Sequence, residues 1–420
     1  MKNNRLSILT IALLTLYAPA FGITTPLFFH TPSFWGTPRI AKDHLWSYDV
    51  RVTGDKTRDG FNRNGHEVNV FQIYGPEDLR YAAQGVDQEI LNRVPKSILN
   101  DLPTSTSIAP FGRVLFSGAL SVVHLEMTLA YTIGHGFFGQ LVIPFTSVHA
   151  RHLNVQDCTT RNSAGNKALF DQWGLFMNDF KENLAHYGIS VDDNNRRGIG
   201  DIMLMLGWAY TNEKHTYTDF FDITLQAGII IPSAQRKNPD ILFDIPLGYN
   251  GHVGVPLSAQ ASVGLYDWLT LGCYAAGIFL LPKNECLRIK TAFEQNGFIK
   301  LTKGHARVHP GSIALAGVYV SSDHVAGGFS WIVGYGYYHQ HATHATPLDN
   351  NRFTPAIVNS DAQLKPWTAH AIHAVIEYDC ATIQTPNRPR IAIVVDSTVR
   401  GKRVARTSMT GLSIALDTTW

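Results

Sequence analysis

The final stretch Met409-Thr410-Gly411-Leu412-Ser413-Ile414-Ala415-Leu416-Asp417-Thr418-Thr419-Trp420 alternates in character and ends on an aromatic residue. Its apolar face carries Leu412, Ile414, Leu416 and Trp420, and the opposite face carries Gly411, Ser413, Ala415, Asp417 and Thr419. Successive side chains of a β-strand point to opposite sides, so this period of two predicts a strand. Chain ends usually fray into solvent. An apolar-faced strand at the C-terminus therefore indicates that this end of the chain is paired in a sheet.

This ending resembles the closing strand of bacterial outer-membrane β-barrels, in which a final aromatic residue is part of the signal read by the barrel-assembly machinery. Thr418 departs from that pattern, which usually has another apolar residue at this position. The resemblance implies a barrel whose C-terminus lies on the periplasmic side.

The other end of the chain is typical of an exported protein. Lys2 and Arg5 precede an apolar run over 6–17, and small residues follow at 18–22. This layout predicts a secretory signal peptide over 1–22, since the apolar run is shorter than the ~20 residues of a membrane-spanning helix. No later segment resembles such a helix, and only helices and closed barrels satisfy their backbone inside lipid.

The composition favours a barrel and argues against nucleic-acid binding. Charged residues make up 16% of the chain, below the ~25% usual in soluble domains, and aromatic residues reach 11%. Without Lys2 and Arg5 the basic and acidic residues balance, and no basic stripe appears.

Cys273 and Cys286 are close enough in sequence to bridge a loop, which spacing alone does not establish. No motif calls for a cofactor.

Alternating runs recur through the body of the chain and predict an all-β, transmembrane, antiparallel up-and-down barrel of about twelve strands (ten to fourteen). The predicted strands are 45–53, 113–131, 137–149, 198–210, 219–232, 254–266, 269–281, 311–320, 327–339, 367–379, 390–400 and 409–420. Short and long connections alternate between them, as the periplasmic turns and external loops of bacterial barrels do. An even strand number requires the first strand, Leu45 to Thr53, to pair with the last.

We expect three parts: the signal peptide, an N-terminal segment over 23–112 that holds the first strand and a plug or helical insertion, and the barrel over 113–420. Trp173, Phe176, Phe180, Leu184 and Tyr187 recur at helical spacing and predict one amphipathic helix ending at Gly188. Residues 76–102 also predict a helix, and Val68 to Tyr74 is a second candidate strand. Such helices could plug or cover the barrel, or serve only as a packing cap.

Polar side chains opposite the apolar faces are expected to line the lumen, because a charge facing lipid near the midplane costs ~2–4 kcal/mol. These candidates are Asp49, Arg51, His124, Glu126, Asp201, Asp222, Gln226, Gln260, His373 and Glu377. They could form a polar lining with internal ion pairs, or a proton-transfer or metal site. His339, His341 and His344 form a separate metal-like cluster, without an acidic or cysteine partner.

Three short motifs resemble the FadL-like and phenol-degradation transporter group of outer-membrane barrels. They are Gly198-Ile199-Gly200-Asp201, Ile229-Ile230-Ile231-Pro232-Ser233, and the hairpin that runs from Phe137 into Ile143-Pro144-Phe145. The resemblance covers about 113–420, and the Asn-Pro-Ala element of fatty-acid transporters is missing. It implies passage of small, mostly hydrophobic molecules across the outer membrane.

We therefore expect a non-enzymatic channel or transporter surrounded by outer-membrane lipid. Two alternatives remain open at this point: a barrel hydrolase with Ser and His on adjacent strands, and a structural or adhesive barrel whose long loops bind partners.

Overall fold

A computed structural model describes residues 27, 44–82, 111–161, 167–213, 218–266, 268–380 and 387–419. In this part of the chain twelve strands form one closed antiparallel barrel. They are β1 (His44–Thr57), β2 (Arg113–Gly134), β3 (Phe137–Asp157), β4 (Ile202–Asn212), β5 (Phe220–Ile231), β6 (Gly254–Leu265), β7 (Leu269–Leu280), β8 (Ile313–Ala326), β9 (Phe329–Gln340), β10 (Trp367–Asp379), β11 (Asn387–Lys402) and β12 (Ser408–Thr419). The predicted signal peptide and Trp420 lie outside the described residues.

The barrel closes between its first and last strands, as the sequence predicts. In the β1–β12 pair Tyr48 lies opposite Leu416 and Val50 opposite Ile414. On its other side β1 pairs with β2, so the first strand has a neighbour on both edges. Closure leaves no unpaired strand edge, which is the condition for a sheet to sit in lipid.

The alternation seen in the sequence separates an apolar exterior from a buried interior. On β1 Val52 is 45% exposed while Arg51 is 1% exposed, and on β12 Leu412 is 54% exposed while Ser413 is 1% exposed. Exposed apolar side chains of this kind form a continuous outer surface in lipid-spanning barrels. Aromatic rings cluster near the turns, where Trp46 contacts Tyr131 at a ring-centroid distance of 4.6 Å. The all-β transmembrane barrel is thus confirmed.

The connections between strands alternate in length with one exception. The connections 135–136, 213–219, 266–268, 327–328 and 380–386 are short, and the connections 58–112, 158–201, 232–253, 281–312 and 341–366 are long. The connection at 403–407 is short although it lies on the loop side. The N-terminal end of β1 and the C-terminal end of β12 both lie on the turn side.

Strands β2 and β3 are longer than predicted, at 22 and 21 residues. Their loop-side ends project past the other strands and form the wall of an apolar cluster built by the loops. Phe116 of β2 packs there against Phe180 and Phe243, with ring centroids 6.1 and 4.9 Å away. The extra length therefore gives the loop layer a surface to pack on, a tertiary reason that periodicity does not reveal.

The predicted single helix is two helices, α1 (Lys167–Asn178) and α2 (Phe180–His186), joined at Asp179. Asp179 has φ −111° and ψ 35°, outside the helical region, so the helix breaks there. The predicted apolar face is buried, including Trp173, Phe176 and Leu184. Gly188 follows with φ 68°, the left-handed conformation that glycine adopts readily after a helix.

Other predicted boundaries of strands and helices differ from those in the structure. Gly198 belongs to a separate strand, Asn194–Ile199, which pairs with the upper part of β3, and β4 begins only at Ile202. Residues 68–74 hold a short strand, Glu67–Asn69, and a 3-10 helix, Val70–Gln72. The predicted helix at 76–102 starts instead as the strand Glu77–Asp78, which pairs with β2; residues 83–102 lie outside the described residues.

The remaining elements of the loop layer are small. A second sheet joins Lys283–Arg288, Lys303–His309 and His344–Pro347, and a third joins Asp59–Phe61, Glu67–Asn69 and Val404–Ala405. The helix α3 (Pro355–Val358) and the 3-10 helices Leu79–Tyr81 and Ala362–Leu364 complete the layer. None of the helices within the described ranges has the length and apolarity needed to cross a membrane.

Candidate functional site

A polar cluster fills the middle of the barrel between β1, β2 and β12. Arg51 lies opposite Glu126 on β2 and opposite Ser413 on β12. Its Nη2 is 3.9 Å from Asp49 Oδ2, and Asp49 Oδ1 accepts a hydrogen bond of 2.7 Å from Ser413 Oγ. All four side chains are buried, so the charge of Arg51 offsets part of the negative charge of Asp49 and Glu126 away from water.

His124 joins this cluster from the next position along β2. Its Nδ1 lies 2.9 Å from Thr146 Oγ1 on β3, and its Nε2 is 3.7 Å from Glu126 Oε2. A hydroxyl, an imidazole and a carboxylate in this order are the groups that a barrel hydrolase would need. The three side chains are completely buried among barrel residues and do not line the cavity described below.

A second polar group lies on the far side of the barrel. His373 on β10 forms a hydrogen bond through Nδ1 with Asp396, and its Nε2 lies 3.1 Å from Tyr338 Oη. Towards the turns, Arg390 Nη1 donates a 2.7 Å hydrogen bond to Glu377 Oε1. The sequence analysis found His373 and Glu377 but missed Asp396 and Arg390, whose partners are set by the register of β10 and β11.

The amides on β5 and β6 continue the polar interior. Gln226 accepts a 3.0 Å hydrogen bond from Ser258 Oγ through its Oε1 and donates to Gln140 Oε1 at 3.3 Å. Gln260 donates to Tyr319 Oη at 2.6 Å. Asp222, half-buried, occupies the same face of β5 nearer the turns.

Asp201 lies apart from the other candidates because it precedes β4 and belongs to no strand. Its two carboxylate oxygens accept backbone N–H bonds from Ala234 at 3.0 Å and Tyr249 at 2.5 Å. The side chain therefore fastens the loop 232–253 to the rim of the barrel. The other nine candidates lie on the inner face of the barrel strands, and Asp201 lies at the loop-side rim.

Between the polar interior and the loops lies an apolar layer. Ile230, Ile278, Ile313 and Trp367 stand at the loop-side ends of four strands, and all four are almost completely buried. The barrel interior thus changes from polar near the turns to apolar near the loops.

Above this layer the loops enclose a cavity of about 300 Å³. All five long connections and the strand ends contribute to it, and most of its lining is apolar, including Ile241, Leu242, Ile245, Leu287 and Phe298. Leu27, the one described residue ahead of β1, also lies in the lining. A mostly apolar concave surface with a few polar groups is the usual form of a small-molecule site.

Buried polar contacts hold the loops around the cavity. Glu77 accepts backbone N–H bonds from Phe298 at 2.6 Å and Ile299 at 2.8 Å, and burial raises the pKa of its carboxyl group to about 7. Lys300 Nζ, from the same loop as Phe298, donates to Asp361 Oδ1 at 3.0 Å and links this loop to the connection 341–366. Sequence reasoning missed these residues because each contact joins segments 61 or more positions apart and leaves no periodic signal.

The histidine and cysteine candidates give no metal site or bridge. The rings of His339 and His341 meet edge to face at 4.6 Å, and His344 pairs with His309 in the loop sheet. Across the described ranges, no group of three or more His, Cys, Asp or Glu side chains could hold a metal ion. All four cysteines lie within those ranges and are free.

Comparison with solved structures agrees with this architecture. The COG4313 outer-membrane channel from Pseudomonas putida F1 aligns over 90% of this chain and 98% of its own, with 11% sequence identity and a TM-score of 0.50. The chain has the fold of an outer-membrane β-barrel channel. The prediction that the chain folds as an outer-membrane β-barrel is confirmed.

Structures of FadL-like channels are also among those similar to this barrel. A Pseudomonas aeruginosa FadL homologue covers 97% of this chain and 98% of its own, at 11% identity and a TM-score of 0.31. The Ralstonia pickettii toluene transporter TbuX covers 91% and 90%, at 9% identity and a TM-score of 0.34. Neither the protein-family models nor the curated proteins include a match to this sequence.

Proposed function

We propose that this barrel is an outer-membrane channel or transporter that carries small hydrophobic molecules and has no catalytic role. The observation that carries the proposal is the mostly apolar cavity of about 300 Å³ that the loops enclose over an apolar layer of the barrel. Such a cavity can take a hydrophobic molecule out of water on the loop side, because transfer from water to an apolar surface is favourable.

The polar groups inside the barrel are the second part of the proposal. Asp49, Arg51, His124, Glu126, Asp222, Gln226, Gln260, His373 and Glu377 would line the lumen and, by their mutual bonding, close it to free diffusion of water and ions. Asp201 would act only by fixing a loop. A hydrophobic molecule leaving the cavity would displace apolar side chains more easily than bonded charges.

The proposal also includes placement in the cell. Export by a signal peptide over 1–22, insertion by the barrel-assembly machinery and a periplasmic C-terminus would put the loops and their cavity outside. The short turns at 135–136 and 327–328 support this orientation, since bacterial barrels keep short turns on the periplasmic side.

Uptake by cells tests the function. We expect a Gram-negative host that carries this protein in its outer membrane to take up a labelled neutral monoaromatic compound several-fold faster than cells without it. Replacing Leu287, which lines the cavity, by Trp should return uptake towards the background rate, because the larger side chain fills the space.

The matched control is Leu348→Trp, at a loop residue that is 56% exposed and outside the lining. This variant should leave uptake unchanged. Uptake equal to background in cells whose outer membrane contains the folded wild-type barrel would contradict the proposed function.

A further inference from the structure

The cavity under the loops has more positive charge in its lining than its own carboxylates balance. The positively charged residues of the lining are Lys237, Lys290, Lys300 and Arg288, and the negatively charged ones are Asp244, Glu285 and Asp361. In a mostly apolar enclosure such an excess is unfavourable unless something negative enters, because buried charges are normally paired.

Two of the three carboxylates are already occupied by other donors. Asp244 forms an ion pair with Arg196 and accepts a 2.8 Å hydrogen bond from Asn194 Nδ2. Glu285 is bound by His252 Nε2 and by the side-chain amide of Asn250. These contacts occupy the oxygens of both carboxylates, while the charges of Asp244 and Glu285 also act on Lys237.

The third carboxylate, Asp361, is shared between a lysine and a backbone group. It accepts from Lys300 Nζ at 3.0 Å and from the backbone N–H of Gln363 at 3.0 Å. Lys300 is therefore satisfied, also because its Nζ donates to the carbonyl of Gly297. The Arg288 guanidinium is engaged as well, in an ion pair with Asp240 at 3.0 Å and in a hydrogen bond to the carbonyl of Leu301 at 2.8 Å.

Lys237 and Lys290 are the remaining two positively charged residues of the lining. Among the residues that the structure describes, neither ammonium group has a hydrogen bond or an ion pair. Lys290 is 4% exposed, and the charges of Lys300 and Asp361 act on both lysines. Burial lowers the pKa of both lysines and outweighs the opposing effect of the neighbouring carboxylates.

Other residues of the lining suit an apolar group. Ile241, Leu242, Ile245 and Phe298 present only carbon atoms from their side chains. A ligand that matches the whole cavity therefore has a single anionic end and an apolar body.

We propose that the cavity binds a small organic carboxylate, with its anionic group beside Lys237 and Lys290 and its aromatic or short aliphatic body against the apolar lining. The proposal rests on the transport function above and adds amphipathic acids, bound more tightly, to the neutral hydrophobic molecules that the channel would carry. A lysine supplies up to three N–H donors, and its hydrogen bonds to a carboxylate are of the strong, charge-assisted kind.

Calorimetric titration of the purified full-length barrel in detergent tests the inference. The probes are benzoate and its neutral counterpart benzyl alcohol, which differ mainly in charge. We expect benzoate to bind about 10-fold more tightly than benzyl alcohol, and Lys237→Met and Lys290→Met each to remove most of that difference. Methionine keeps the apolar length of the side chain, so benzyl alcohol should bind the variants as it binds the wild type.

Lys365→Met is the matched control, because Lys365 lies in a loop that lines the cavity but is itself exposed and not part of the lining. Heat-modifiable migration shows that each variant is folded before titration. Equal binding of benzoate and benzyl alcohol by the wild type, or unchanged benzoate binding in both lysine variants, would overturn the inference. Either result would still leave the proposed transport function in place if benzyl alcohol binds and cells take up the neutral compound. Failure of that uptake would contradict the transport function itself.

Discussion

Gly411→Ala is expected to destabilise the barrel by about 3 kcal/mol and to reduce the fraction that assembles. A methyl group added at Gly411 would lie 1.9 Å from the carbonyl oxygen of Val52 and 2.6 Å from Cα of Thr53. Both contacts are with the backbone of β1, so no side-chain rotation relieves them. The strands would have to separate at the seam that closes the barrel, and the hydrogen bonds between β1 and β12 would weaken.

Gly139→Ala is the matched control for this effect. Gly139 also lies within a barrel strand, and a methyl group added there meets no heavy atom within 4 Å. Both variants lose the flexibility of a strand glycine, but only the variant at the seam creates a collision. Urea titrations read by heat-modifiable electrophoresis should give a lower midpoint for Gly411→Ala alone. Equal midpoints for the two variants would show that the seam is not packed as described.

Arg51→Met is expected to cost about 3–5 kcal/mol of stability, because it leaves buried carboxylates without their cation. Arg51 is 1% exposed, its Nη2 is 3.9 Å from Asp49 Oδ2, and Glu126 faces it across the β1–β2 pair. The same urea titration measures the loss.

A second substitution distinguishes charge imbalance from simple loss of packing. Asp49→Asn added to Arg51→Met should recover a substantial part of the stability, since one uncompensated carboxylate disappears. Arg406→Met provides the surface control: Arg406 pairs with Glu67, but both side chains are about half exposed, so its loss should change stability by less than about 1 kcal/mol. A double variant less stable than Arg51→Met would contradict the described charge balance.

The strand number and the closure of the barrel follow from the sequence because they depend on a strictly local property. In β1 and β12 the side chains alternate without interruption, so Val52 and Leu412 face outwards and Arg51 and Ser413 face inwards. A shift of one residue would exchange these faces, which makes both the register and the lumen-facing candidates readable from the pattern.

The loop layer could not be read in the same way. The extra length of β2 and β3, the break at Asp179 and the clamp of Glu77 on Phe298 all depend on contacts between segments distant in the chain. Lys237 and Lys290 leave no periodic signal in the sequence either. They belong to different loops, so their common place in the cavity lining depends on how the loops pack. Local patterns therefore define the barrel, while the candidate binding site depends on tertiary packing.

Cysteine crosslinking in isolated outer membranes tests the central claim, a membrane barrel closed by β1 and β12, most directly. Val50 and Ile414 are opposite each other and face outwards, whereas Thr410 lies four residues from that position on β12. In a chain whose four native cysteines are changed to serine, Val50→Cys with Ile414→Cys should crosslink on treatment with a short thiol reagent. The protein should be recovered with the outer membrane, and Val50→Cys with Thr410→Cys should remain largely uncrosslinked. Crosslinking of the second pair in place of the first, or recovery of the protein outside the outer membrane, would contradict the account.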